Sequence, residues 1–147
     1  MEKLVQLTRI AFSTTFSFYV KVHSFHWNVE GSDFYQYHKL FEEIYEEVYG
    51  AIDPFAENVR KLGAYMPTSY HTLNMLTKIE DESQVPNLEQ MIQELLLDSE
   101  KIQIVLKKNY NVAEAEGEHG LSNFLAERMD AHKKHAWFLR ASIKEQQ

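Results

Sequence analysis

Apolar residues recur along this chain at the spacing of three to four residues that is typical of helices with one buried face. In one segment, for example, Phe41, Ile44 and Val48 fall on a single stripe. Segments with this pattern cover residues 3–28, 34–62, 88–113 and 121–143. The pattern predicts four long helices and an all-α fold.

Glycines and short polar residues mark the ends of these helices. Gly31 separates the first two, and either Ser32 or Asp33 offers a side-chain oxygen to cap the start of the second. Gly63 ends the second helix, because glycine readily adopts the left-handed conformation that closes a helix. The stretch AEAEGEHG, residues 113–120, predicts a loop before the fourth helix.

Pro54 lies inside the second predicted helix, where it removes one backbone hydrogen bond. The expected kink falls between Asp53 and Glu57. Two interpretations are open: the kink directs these two carboxylates towards a site, or it only curves the helix around the core.

Residues 64–86 contain two prolines and a short apolar set, which predicts a crossover that carries one short helix before Asn87 caps the third long helix. The second helix would be about 43 Å long, and the crossover is long enough to run back along it. Four helices with one long connection form a ferritin-like four-helix bundle, in which metal sites are built from facing side chains.

Composition narrows the possible functions. The chain has 147 residues and no Gly/Pro/Ser-rich linker, which predicts a single domain over residues 1–147. It has no Cys, so disulfides, thiolate metal sites and cysteine nucleophiles are excluded. The formal net charge of −7 disfavours free nucleic acid and favours cations. The apolar stretch 10–20 is too short for a membrane span, and a soluble, cytoplasmic protein is expected.

Five residues with metal-binding chemistry occur within one short stretch of the chain. Imidazole and carboxylate ligands together suit a redox-active transition metal such as iron. The five are His26, His38, Glu42, Asp53 and Glu57. They form the candidate metal site of this chain.

Their spacing predicts that two chains share each site. His38 and Glu42 are four residues apart and lie on one face of the second helix, as do Asp53 and Glu57. The two pairs are separated by about 16 Å along the helix axis, which is too far to hold one ion. If a second copy of the helix lies antiparallel to the first across a two-fold axis, the His38/Glu42 pair of each chain meets the Asp53/Glu57 pair of its partner.

Each of these residues also has a purely structural interpretation. A histidine near a helix end is often a hydrogen-bonded interface residue, and acids on a helix are usually solvated, as we expect for Glu43, Glu46 and Glu47. His23, one turn before His26, is a candidate for an auxiliary ligand or a hydrogen-bond donor to one. The nearby aromatic rings have two open interpretations, packing and the uptake of oxidising equivalents. They are Trp27, Tyr35, Tyr37, Tyr45 and Tyr49.

A longer pattern contains the five residues. The segments are His26-Trp27-Asn28, Gly31, Phe34, His38, Glu42, Asp53, Ala56-Glu57, Leu62-Gly63 and, near the C-terminus, Lys134-His135-Ala136-Trp137-Phe138-Leu139-Arg140-Ala141. In these segments the chain resembles the Dps family, the DNA-binding proteins from starved cells or mini-ferritins. The resemblance covers essentially the whole chain.

The resemblance implies an iron-oxidising and iron-storing shell. Family members form hollow homo-dodecamers from two-fold dimers, oxidise Fe(II) with hydrogen peroxide or oxygen at ferroxidase sites between subunits, store the ferric mineral and so protect against oxidative damage. The catalytic and metal-binding positions carried over are His26, His38 and Glu42 of one subunit with Asp53 and Glu57 of the other.

Three features depart from the family pattern. The first is at the entry pores, which acids usually line near the start of the fourth helix: Asn123 stands at one such position, and Glu118, Glu127 and Asp130 are the acids left for this role. Glu42 stands where Asp is common, and its longer side chain predicts a looser second iron site. The Lys-rich DNA-binding tail of many members has no counterpart, because Met1-Glu2-Lys3 is short and Lys144-Glu145-Gln146-Gln147 is neutral overall. Two alternatives remain at this stage: a DNA-compacting structural protein with little catalytic role, and a helical shell whose histidines only hold the dimer together.

Overall fold

The computed structural model describes residues 1–143. The helices in this part are α1 (Glu2–Asn28), α2 (Phe34–Tyr49), α3 (Ile52–Lys61), α4 (Tyr70–Leu76), α5 (Leu88–Ala115) and α6 (His119–Ile143). The prediction of an all-α bundle with a short helix in a long crossover is confirmed. The predicted neutral tail at 144–147 lies outside the described residues.

One apolar core joins the long helices. Helix α1 packs against α2, α3, α4 and α5, and α5 packs against α6. Phe18 of α1, Phe41 of α2 and Phe55 of α3 are completely buried, as are Leu95 of α5 and Leu125 of α6. Burial of each such side chain stabilises the fold by about 1.5–3 kcal/mol, so these contacts fix how the helices are placed.

The second predicted helix is divided into α2 and α3 at Gly50 and Ala51. The prediction of a kink between Asp53 and Glu57 was wrong, because both residues lie on α3 beyond the break. Pro54 has no amide hydrogen for the Gly50 carbonyl, so the irregularity appears one turn before the proline. Asp53 and Glu57 therefore share one regular helix and are one turn apart.

The helix ends agree only in part with the prediction. Gly63 has a positive φ of 89°, and the Ala64 amide donates to the Val59 carbonyl at 3.3 Å, which closes α3 as expected. Asn87 caps α5 in a capping box with Gln90. Asp33 precedes α2 but makes no capping hydrogen bond.

The loop predicted at 113–120 was too long. Helix α5 continues to Ala115 and α6 begins at His119. Gly117 has a positive φ of 73°, and the amide of Glu118 donates to the Ala113 carbonyl at 2.9 Å. This hydrogen-bonded turn needs only residues 116–118, so the two helices are antiparallel neighbours.

The crossover from α3 to α5 is held against α1. Ser69 caps α4 by accepting a hydrogen bond from the Thr72 amide, and α4 packs on α1. After α4, the Lys78 amide donates to Thr14 Oγ1 at 3.2 Å, and the Ile79 side chain is buried. In residues 1–143, no helix is both long enough and apolar enough to cross a membrane.

Candidate metal centre

His26 and His38 are held together by two reciprocal hydrogen bonds. Nδ1 of His26 lies 2.7 Å from the His38 carbonyl oxygen, and Nδ1 of His38 lies 2.8 Å from the His26 carbonyl oxygen. Their rings are stacked, with centroids 3.8 Å apart and planes 16° from parallel. The expected proximity of the end of α1 and the start of α2 is confirmed.

These bonds determine the tautomer of both rings. A carbonyl oxygen only accepts a hydrogen bond, so Nδ1 of each ring carries the hydrogen when the ring is neutral. Nε2 then has a free lone pair, and it has no hydrogen-bond partner among residues 1–143. A histidine that binds a metal commonly donates its other N–H to a backbone carbonyl in this way. Both side chains are therefore arranged as potential Nε2 ligands.

The three candidate carboxylates follow the histidine pair in the sequence, one on α2 and two on α3. Glu42 is one turn after His38 on α2, and its Oε2 is 3.3 Å from Nζ of Lys39. Asp53 is in the first turn of α3 and is exposed, and so is Glu57 one turn later. Accessible carboxylates of this kind are available to a cation.

A single chain does not complete the site. Within the part of the chain that the structure describes, no three His, Asp or Glu side chains come together in a group that could hold a metal ion. The histidine pair supplies two nitrogen donors, and the carboxylates of α3 are on a separate helix segment. If the five residues bind one metal centre, a second chain must supply part of it.

Comparison with known proteins identifies the family. The family model described as Ferritin-like domain matches residues 9–147. The chain is 31% identical over 126 residues to the DNA protection during starvation protein of Helicobacter pylori, which covers 85% of this chain and 88% of the relative. The chain belongs to the Dps family of ferritin-like proteins.

Solved Dps structures have the same fold as this chain. The Dps of Thermosynechococcus elongatus superposes with a TM-score of 0.95 at 23% identity, covering 99% of this chain and 92% of that one. The Dps of Vibrio cholerae, described as a member of the ferritin-like diiron-carboxylate superfamily, gives 0.92 at 24% identity, covering 97% and 90%. As a member of the Dps family of ferritin-like proteins, the chain is a mini-ferritin.

An aromatic layer covers one side of the histidine pair in this Dps chain. The Tyr45 ring meets the His26 ring edge-on at a centroid distance of 5.1 Å, and it stacks on His23 at 3.9 Å. The His23 ring also contacts Trp27 at 4.3 Å. Burial and the nearby His26 lower the pKa of His23. Tyr45 and Trp27 therefore both make ring contacts with His23, and His23 lies beside the candidate site.

The other tyrosines of this region are arranged differently. Tyr49 packs on Tyr19 with ring centroids 5.1 Å apart. Tyr37 is buried in the core, and its hydroxyl donates to the Ser142 carbonyl at 2.9 Å. Tyr35 is 70% exposed. The sequence pattern had placed these rings in one region, whereas the structure separates Tyr35 and Tyr37 from the aromatic layer.

A second polar cluster, which the sequence interpretation missed, joins α2 to α6. Glu47 was expected to be solvated, but its carboxylate accepts hydrogen bonds from Arg128 at 2.5 and 3.0 Å, and it lies 2.8 Å from Nε2 of His135. Burial alone would raise the pKa of Glu47, but these two partners lower it to about 2. That prediction was wrong because the partners come from 81 and 88 residues away.

The cluster continues into the interior at His132. Its ring is completely buried, lies edge-on to Phe18 at 5.3 Å, and has Nε2 3.4 Å from an Arg128 nitrogen. Burial, together with Arg128 and His135, lowers the pKa of His132 well below the ordinary value. His132 and His135 thus make structural contacts in this cluster, His132 with Phe18 and His135 with Glu47. In the sequence, the only indication of this cluster is the helical spacing of Arg128, His132 and His135 on α6.

Proposed function

We propose that this mini-ferritin oxidises Fe(II) at sites between two subunits and stores the ferric product in a hollow shell. In each site His26, His38 and Glu42 of one subunit face Asp53 and Glu57 of the other. The protein would thereby remove iron and peroxide together and protect the cytoplasm against oxidative damage. We treat residues 1–147 as one ferritin-like domain that assembles as a homo-dodecamer of two-fold dimers.

The reciprocal bonding of His26 and His38 is the observation that carries this proposal. Both bonds are made within one chain, so they account for the position of each ring without a partner subunit. They leave both Nε2 atoms free, which is unexplained if the histidines serve only to pack. Exposed carboxylates at Asp53 and Glu57 supply the negative charge that a mixed N/O site for Fe(II) needs.

The substrate iron is bound in two steps in this proposal. Asp53 and Glu57 balance the charge of the first Fe(II), and Nε2 of His26 completes its ligands. His38 and Glu42 hold a second Fe(II) more weakly, because Glu42 must first leave Lys39. Hydrogen peroxide or oxygen accepts the electrons, and acids of the shell interior nucleate the ferric product.

The proposal is tested by stopped-flow oxidation of Fe(II) with the double variant His26→Ala/Asp53→Ala. We expect loss of fast Fe(II) oxidation and of Fe(II) binding, while the assembly measured by light scattering is unchanged. The matched control is His71→Ala/Glu43→Ala, which alters one exposed histidine and one exposed acid outside the site. Wild-type oxidation kinetics in the double variant would show that the site is elsewhere.

DNA compaction is not favoured as the main activity. The chain has 22 acidic and 15 basic residues, and this balance repels a phosphate backbone unless cations are clustered. A gel-shift titration over a series of salt concentrations measures this directly. We expect no shift at physiological salt.

A further inference from the structure

Tyr19 of α1 forms a hydrogen-bonded pair with His23, which belongs to the aromatic layer beside the candidate metal centre. The Tyr19 hydroxyl lies 2.9 Å from Nδ1 of His23. Nothing in the proposed iron site requires this bond, because neither side chain is among the five proposed ligands. The pair joins a phenol, which can lose an electron, to an imidazole, which can accept a proton.

A continuous series of ring contacts connects this pair with His26. Tyr45 contacts His26 at a centroid distance of 5.1 Å and stacks on His23 at 3.9 Å with only 14° between the planes. Tyr45 also lies 6.2 Å from Tyr19. An electron leaving Tyr19 can therefore reach the metal ligand through neighbouring rings, without crossing aliphatic side chains.

Tyr19 is better suited than its neighbours to lose an electron. A phenol that loses an electron becomes a strong acid, so oxidation is easy only where a base accepts the proton. Among residues 1–143, Tyr19 is the one tyrosine whose hydroxyl is hydrogen-bonded to a ring nitrogen. The Tyr37 hydroxyl faces a backbone carbonyl, which is a much weaker base.

The proposed iron chemistry creates a need for such an electron donor. Hydrogen peroxide accepts two electrons when it is reduced to water, and one Fe(II) supplies one. The second iron position is the weaker one, because Glu42 is paired with Lys39. Whenever the weaker position is empty, one electron is missing, and incomplete reduction of peroxide would release a hydroxyl radical.

We propose that Tyr19, with His23 as its proton acceptor, supplies the missing electron when a single Fe(II) reacts with hydrogen peroxide. This inference rests on the function proposed above. Fe(II) becomes Fe(III), and the Tyr19 phenol becomes a neutral tyrosyl radical. The phenol proton moves to Nδ1 of His23, and peroxide takes two electrons and two solvent protons to form two water molecules. Tyr19 acts through Tyr45 and His23 and does not contact the iron.

The first experiment is freeze-quench electron paramagnetic resonance of the assembled protein after it is mixed with hydrogen peroxide and less than one Fe(II) per site. We expect a tyrosyl radical in the wild type and its loss in Tyr19→Phe, which keeps the ring and removes the hydroxyl. The matched control Tyr35→Phe removes an exposed hydroxyl outside the aromatic layer and should keep the radical. An undiminished tyrosyl signal in Tyr19→Phe would overturn the proposal.

A second readout tests the proton acceptor. In high-field spectra the g values of a tyrosyl radical respond to a hydrogen bond at its oxygen. With His23 present we expect the values of a hydrogen-bonded radical, and in His23→Phe, which keeps an aromatic ring in the stack, we expect either a shift to the unbonded values or no radical. Unchanged g values in His23→Phe would contradict the role of His23. A purely structural role of His23 predicts no such change.

An experiment without iron separates this proposal from the proposed function. Pulse radiolysis with azide radical oxidises exposed tryptophan, and Trp27 is 63% exposed and contacts His23. In iron-free wild-type protein we expect the tryptophan radical to decay as a tyrosyl radical forms within the same chain, and this transfer should be lost in Tyr19→Phe. Transfer that persists in that variant overturns the relay whether or not the protein oxidises iron. Failure of the wild type to oxidise Fe(II) would instead refute only the proposed function.

Discussion

His26 and His38 each donate the Nδ1 hydrogen of the imidazole to the backbone carbonyl of the other residue, at 2.7 and 2.8 Å. The bonds tie the last turn of α1 to the first turns of α2. They also hold both rings in a single orientation, stacked 3.8 Å apart. The Nδ1 atoms thus serve the fold, and the Nε2 atoms remain for the proposed metal site, so the two roles can be separated by substitution.

Asparagine and glutamine at position 38 separate these roles. The amide nitrogen of Asn can replace Nδ1, so His38→Asn should keep the bond to His26 and the stability of wild type while it loses the second iron. His38→Gln places its amide nearer to the Nε2 position and should cost about 1 kcal/mol through the lost hydrogen bond. Urea unfolding at equal protein concentration and Fe(II) titration measure the two effects. Equal loss of stability in both variants would mean that the Nδ1 bond is not the stabilising contact.

Mixed assemblies test whether each site is shared between two subunits. We expect His26→Ala and Asp53→Ala to be inactive when each is prepared alone. When the two are co-expressed with separable tags, random pairing makes about half of the dimers mixed, and each mixed dimer has one intact site of two. About a quarter of all sites should therefore be intact, and about a quarter of the wild-type rate of Fe(II) oxidation should return. No recovery in purified mixed assemblies would indicate a site within one chain.

The sequence predicted the bundle well because its main signals are local. Helical periodicity and the short link around Gly31 were sufficient to place His26 beside His38. The same periodicity concealed the break at Gly50 and Ala51, because Phe55 of α3 remains in the apolar stripe that continues from Val48 of α2. A hydrophobic pattern indicates which face of a helix is buried. A short break after which the same face remains buried does not change this pattern, so the pattern does not reveal the break.

Contacts between distant segments leave no periodic signal in the sequence. The pairing of Glu47 with Arg128 depends on how α2 and α6 are placed side by side, and residues 81 positions apart have no spacing signal. The Tyr19 and His23 pair was accessible in principle, because the two residues are four apart on α1 and share a face. A spacing of four residues permits such a bond on a helix but does not show that it forms, so the sequence alone did not single out this pair.

Lowering the pH should reveal how much the Glu47 carboxylate contributes to the free energy of unfolding. The pKa of this carboxyl is lowered from 4.5 to about 2 in the folded protein, so its stabilising effect is fully present above pH 4.5 and is lost as the pH falls from there towards 2. Glu47→Gln should lower the unfolding free energy by on the order of 1 kcal/mol near neutral pH, a modest figure because solvent screens a partly exposed carboxylate. The difference from wild type should shrink as the solution is acidified through this window.

Urea unfolding at several pH values measures this effect, and Glu46→Gln is the matched control. Glu46 is the neighbouring exposed acid and has no ion pair with another residue of the described part of the chain. Its substitution should leave the pH profile unchanged. A pH-independent difference between Glu47→Gln and wild type would show that the carboxylate charge is not what stabilises the contact.

Breaking the ion pair of Lys21 and Asp98 should destabilise the fold far more than breaking any ion pair at the surface. Nζ of Lys21 lies 2.8 Å from the Asp98 carboxylate and 2.7 Å from that of Glu94, and the Lys21 and Asp98 side chains are only 6% and 4% exposed. Burial raises the pKa of Asp98, and the hydrogen bond from Lys21 opposes this shift. Removal of Lys21 therefore leaves a buried carboxyl that is either charged without a partner or must take up a proton.

We expect Lys21→Met to cost about 3–5 kcal/mol of unfolding free energy near neutral pH, because methionine fills the space but leaves Asp98 uncompensated. The cost should grow as the pH rises above 3.8, the ordinary pKa of Asp, because keeping the buried carboxyl protonated then becomes harder. Lys39→Met, which breaks the half-exposed pair with Glu42, should leave the unfolding free energy almost unchanged, because solvent screens this pair. The double variant Lys21→Met/Asp98→Leu should recover most of the loss. If the double variant is as unstable as the single one, packing around Lys21 rather than the unpaired charge is responsible.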